Sequence, residues 1–223
     1  MTEQFHRPVR RPATAFDKIV APDDPAGLAR IAHSTANALI SRVRAEPDSE
    51  VVARLITFTD THGIDTLAEL WSHSPARSLP GALWRIYLLQ LMIHNDPHTA
   101  SLLYQRGTVE LQSVDPVVAG ATTPAGPEEL VALADAILRG VFSGDLAVAL
   151  ERAAAFCRVQ AAGATHVADD YEPTEPARAS ELTRRASRLA AYAAGLTAAA
   201  RLRRTDGLGG ARGGAVWRRA LPG

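Results

Sequence analysis

The stretch LWRIYLLQLMI, residues 83–93, decides the fold. Leu83, Trp84, Ile86, Tyr87, Leu88, Leu89, Leu91, Met92 and Ile93 make it apolar on nearly every side. Pro80 and Gly81 precede it as a helix start, and Asp96-Pro97 follow it as a cap with a first-turn proline. A helix with no polar face to turn outward is surrounded by other helices. The stretch therefore predicts a buried central helix in an all-α bundle. Gln90 interrupts its longest apolar run, which is far too short to span a bilayer, so no membrane partner is expected.

The same signals recur to either side. Asp24-Pro25 opens a helix with Leu28, Ile31, Ala32, Thr35, Leu39 and Val43 on its expected inner face. Val52, Leu55, Ile56 and Thr59 mark a second helix closed by Gly63, and Ile64, Leu67, Ala68 and Trp71 a third ending before Pro75. A short helix from Asp96-Pro97 is expected to run to Gly107. Residues 108–126, with Pro116, Gly120, Pro124 and Gly126, read as a long connection, which in a compact domain is a functional segment or a boundary. Pro127, Glu128 and Glu129 suit a helix N-terminus, and Leu130, Leu133, Ala134, Ile137, Leu138 and Val141 follow at helical spacing. Ser143-Gly144-Asp145 then breaks the chain before a helix that buries Leu146, Ala149, Leu150, Ala153 and Cys157 and ends at Gly163. No strand-like alternation of any length interrupts this pattern.

The expected organisation is an irregular multi-helix bundle of about eight helices with flexible N- and C-terminal tails. Residues 1–24 read as a flexible arm, 25–163 as the bundle, and 164–176 as an acidic linker carrying Asp169, Asp170, Glu172 and Glu175. Residues 177–204 read as a long amphipathic helix packed on the bundle, and 205–223 as a disordered Gly/Arg tail.

Composition narrows the function classes. Aromatic residues make up 5% of the 223 residues, so Leu, Val, Ile and Ala must build the core. Formal net charge is zero, which excludes a wholesale nucleic-acid or membrane coat and leaves only a local basic region. Lys18 is the only lysine, and the Arg and Ala bias fits a GC-rich coding sequence. Cys157 is the only cysteine, so neither an intrachain disulfide nor a thiolate metal cluster can form. Met1 to Pro12 is polar with three arginines and carries no signal-peptide pattern, which makes the cytoplasm the expected location.

Three constellations carry candidate chemistry. Leu182, Ala186, Leu189, Ala193, Leu196 and Ala200 form a strict seam at spacings of four and three, with large and small residues alternating. It suits close helix packing, either on this chain's own bundle or against a protein partner or second copy. Arg184 to Gly223 holds nine arginines against one acid, Asp206. Arg201, Arg203, Arg204, Arg218 and Arg219, with Trp217, are the candidate nucleic-acid contacts, against a plain solvated basic face. Glu181 and Arg185 are spaced as an i, i+4 pair. His62, His94, Asp96 and His98 fall at helix ends that an up-down-up arrangement gathers, which suits zinc or iron, although helix ends favour His and Asp as caps anyway. No phosphate loop or nucleophile elbow is present, no Glu-x-x-His pair falls on the expected bundle helices, and no cofactor is implied. Cys157 lies on an apolar helix face and reads as an inert thiol. The function expected from these residues is a non-catalytic interaction or adaptor protein. The alternatives are nucleic-acid association through the C-terminal arginines and a metal protein or enzyme at the histidines.

Overall fold

The computed structural model describes residues 25–45, 70–111, 113–120 and 126–205, and the chain is all-α, with no strand among them. Seven helices are bounded: α1 Pro25–Ala45, α2 Leu79–Asn95, α3 Pro97–Glu110, α4 Asp115–Ala119, α5 Pro127–Ser143, α6 Leu146–Tyr171 and α7 Pro176–Arg204. Leu70–Ser72 is the end of a further helix, and its Trp71 is buried. The expected N-terminal arm, the second helix, His62 and residues 206–223 of the tail lie outside the described residues.

Local chemistry sets the helix starts. Pro80, Pro97, Pro116, Pro127 and Pro176 each stand in the first turn of their helix, where a missing N–H costs nothing. The Ser78 hydroxyl accepts from the Gly81 N–H at 3.2 Å, the Asp96 carboxylate from the Thr99 N–H at 3.1 Å, and the Asp145 carboxylate from the Ala147 N–H at 2.8 Å. Gly120, at φ 80, closes α4 in the left-handed conformation that favours glycine.

α6 is the axis of the molecule. It packs against α3, α4, α5 and α7, and α1 and α2 add a layer beyond α5 and α7. Leu150, Ala153, Ala155, Phe156, Cys157 and Val159 of α6 are fully enclosed. Residues 83–93 do build core, but α2 keeps Trp84, Tyr87, Leu88 and Met92 partly exposed. The central place expected of α2 belongs instead to the Ala-rich α6, whose slim side chains let four helices close around it.

Two glycines hold α6 at that distance. α3 crosses it so closely that a Cβ on Gly163 would overlap the Leu103 carbonyl, and one on Gly107 the Val159 carbonyl. This explains why neither glycine ends a helix. α3 runs past Gly107 to Glu110, and α6 runs past Gly163 to Tyr171. The expected acidic linker therefore shrinks to the turn at Glu172–Glu175, and residues 164–171 are helix with Ala164, Val167 and Ala168 buried. Gln160 adds a buried tie across the crossing, its Nε2 donating to the Ala100 carbonyl at 2.7 Å.

The inner face expected of α5 is buried at all six positions from Leu130 to Val141. α1 differs: Leu28 and Ile31 are about half exposed, and the buried stripe is Ala32, Ala36 and Ile40. Small residues let α1 lie close to α2 and α5, and that rotates the bulkier pair outward.

The crossing makes a test by sign. Ala is a better helix former than Gly by about 1 kcal/mol, so Gly→Ala in an open helix position stabilises. Gly140 is such a position, since its added Cβ would meet only the Ala149 Cβ at 3.6 Å. Gly140→Ala is expected to raise stability by up to about 1 kcal/mol. Gly107→Ala and Gly163→Ala are each expected to lower it by about 3 kcal/mol in urea unfolding, because backbone must move.

Candidate functional site

The seam of α7 is buried within the chain. α7 runs antiparallel to α6, and Leu189, Ala193, Leu196 and Ala200 are each 3% exposed or less in the main core. Ala186 packs with Leu103, Ala164 and Val167, and half-buried Leu182 lies against that group. Ala186, Leu189, Ala193, Leu196 and Ala200 are therefore buried within this chain, and half-buried Leu182 lines a cleft.

The arginines of α7 are divided among different tasks. Arg204 forms a bidentate pair with Glu151 at the start of α6, Nη2 to Oε2 at 2.8 Å and Nη1 to Oε1. Arg178 stacks on the Tyr171 ring at 3.9 Å and lies 3.6 Å from Glu175. Arg201 stands at the edge of an alanine-lined groove between α6 and α7, Arg203 is half-buried and Arg184 is exposed. Arg218 and Arg219 lie outside the described residues.

The helix-end histidines separate as well. His94 Nε2 is 2.9 Å from Asp135 Oδ1 on α5, and Gln90 Nε2 donates to the same oxygen at 3.3 Å. Asp96 caps α3, and its bonds to Thr99 hold the carboxyl below its usual range. His98 lines a shallow cleft with Glu128, Glu129 and Asp135. Among the described residues no group of three or more His, Cys, Asp or Glu side chains is placed to hold a metal ion. Cys157 is fully buried, and burial pushes its thiol up to about 12.

Two arrangements that sequence spacing does not reveal stand out. The first is the seating of α4. Arg158 on α6 grips Asp115 with both ends of its guanidinium, Nε to Oδ2 at 2.9 Å and Nη2 to Oδ1 at 2.6 Å, while its Nη1 donates to Thr197 of α7 at 3.2 Å. Arg152 Nε donates to the Ala119 carbonyl at 3.2 Å, and the Tyr104 hydroxyl to the Pro116 carbonyl at 3.4 Å. Tyr104 stacks on Phe156, and burial raises its hydroxyl to about 12. A five-residue helix too short to stand alone is thus fixed at both ends. It displays Val117 at 82% and Val118 at 40% exposure, with Val114 just before it at 71%, and Val109 in the last turn of α3 is 76% exposed.

The second is a cleft of about 450 Å³ between α7 and the α2–α3 junction. Leu88, Met92, Leu182, Leu189 and Tyr192 are its apolar lining, Glu181, Arg185 and Arg188 line it from α7, and Asp96 lines it from the α2–α3 junction. Arg185 does not form the expected pair with Glu181. Its Nε and Nη2 are shielded from water and donate to nothing. Burial accordingly pulls the Arg185 pKa below its usual value.

Among the described residues no helix is long and apolar enough to cross a membrane. No family model, curated protein or solved structure matches the chain.

The α4 clamp has a pH signature. Arg158 holds the Asp115 carboxyl below the usual carboxylate range. A depressed folded-state pKa gives stability that is present at neutral pH and lost as pH falls through that lowered value. Protection of the α4 amides against hydrogen exchange is expected to persist at neutral pH and collapse below the ordinary aspartate range. Asp115→Asn is expected to weaken the same amides by about 2 kcal/mol at neutral pH, with α5 protection unchanged.

Proposed function

We propose that the protein is a non-catalytic interaction subunit that docks a protein partner on the valine face of α4. The observation that carries this reading is the exposure of Val114, Val117 and Val118 on a helix clamped to α6 from both ends. Val114, Val117 and Val118 recur at the three- and four-residue spacing of one helix side, and apolar side chains gathered on one exposed side mark contact sites. Fixing it in place lowers the ordering cost of association. The α7 seam, the other docking surface suggested by the sequence, lies against α6 and Leu103. Nucleic-acid binding by the C-terminal arginines gains no support from Arg204, whose charge is matched by Glu151.

The test is site-specific photo-crosslinking in the native cell, with the reactive side chain at position 117 and, as a control, at exposed Arg184. Position 117 is expected to give one discrete protein adduct, and position 184 none. Val117→Asp, changing stability by no more than about 0.5 kcal/mol because the site is exposed, is expected to abolish adduct formation from position 114. Equal labelling from both positions, or no adduct from either, overturns the reading.

A further inference from the structure

α7 carries two stripes at helix-packing spacing. The Leu/Ala seam is the inner one. Ala190, Ala194, Thr197 and Arg201 repeat its spacing of four and three along a second side, and this side borders the groove between α6 and α7. The groove encloses about 570 Å³, and Ala161 lines it from α6. Ala190 and Ala194 are exposed, and Ala161 and Ala198 are half-buried. Small side chains at this spacing let a further helix approach closely and seat its own side chains between them. From Ala190 to Arg201 the stripe runs about 17 Å, roughly three helical turns.

Charge limits what that helix can be. Arg158 and Arg201 line the groove, and no acid does. Arg158 is matched by Asp115. Arg201 is exposed, and among the described residues its guanidinium meets no acid or other acceptor. The groove walls supply none: α7 has no acidic residue from Thr183 to Thr205, and α6 has none from Arg152 to Ala168. A second copy of α7 laid in the groove would bring only more arginines, among them exposed Arg184 and Arg188. Like charges brought together across an interface oppose pairing. An acidic helix meets both conditions, because its small or apolar side fits the alanines and its carboxylate answers the free guanidinium. We infer that the groove docks an acidic amphipathic helix of a protein partner, its apolar side on Ala190 and Ala194 and a carboxylate on Arg201. The inference stands on the lining of the groove and does not rest on the valine face of α4.

Fluorescence anisotropy of the full chain with two labelled Ala/Leu-rich helical peptides, identical except for glutamates in one and lysines in the other, tests this. The glutamate peptide is expected to bind saturably, and the lysine peptide at least about tenfold more weakly. Arg201→Glu is expected to reverse that order, which a variant that merely failed to fold could not do. Ala194→Trp fills the groove from an exposed position. It is expected to weaken the glutamate peptide at least about tenfold with the Tm unchanged, and Val117→Asp to leave its binding intact. No saturable binding, equal binding of the two peptides, an order that Arg201→Glu does not reverse, binding lost in Val117→Asp but kept in Ala194→Trp, or self-association of the chain that Ala194→Trp abolishes overturns the assignment.

Discussion

The crossing of α3 and α6 at Gly107 and Gly163 is the constraint on which the other contacts rest. Backbone meets backbone there, the amide of each glycine lying within 3 Å of where the other's Cβ would be. No side chain larger than hydrogen fits. The crossing sets the depth at which α6 lies, and α6 in turn supplies the surface for α4, α5 and α7. It also explains a core so rich in Ala. Once backbones are that close, small side chains are what fit between them, and Ala153, Ala154, Ala155 and Ala164 are all buried. Glycine in mid-helix is unfavourable by itself, so its presence in both helices marks a contact that outweighs the lost propensity.

From that axis the polar contacts follow in order. α7 lies antiparallel along α6 through the Leu/Ala seam, and Arg204–Glu151 closes the far end of the pair. Arg158 emerges from the middle of the same contact and reaches Asp115 and Thr197 at once, coupling α4 to both long helices. Arg185 differs: its Nε and Nη2 have no hydrogen-bond partner among the described residues, and Asp96 and Glu181 act on it only through space.

Much of the fold was legible in the chain itself. Capping residues and first-turn prolines act within a few residues of each other, so the starts of α2, α3 and α5 could be read directly. The inner face of α5 was equally plain, because one helix with one apolar stripe admits one orientation. The seam of α7 was visible too, and so was the inert character of Cys157. These are properties of neighbours in sequence, and local sterics and hydrogen bonding determine them.

Tertiary structure decided what lies opposite each element. Gly163 has the look of a helix end in isolation but lies at a backbone crossing, because only the approach of Leu103 distinguishes the two roles. Leu28 and Ile31 turned outward once Ala32 and Ala36 had been chosen for close packing. Asp115 and Arg158, 43 residues apart, carry no spacing signal that would join them. Arg185 has the ideal i, i+4 partner in Glu181, yet the cleft holds its guanidinium edge away from it. The sequence by itself determined that the chain is helical and where most helices begin. Which faces meet, which charges pair and which one is left without a partner depend on distances between segments far apart in the chain, and only the packed structure sets those distances.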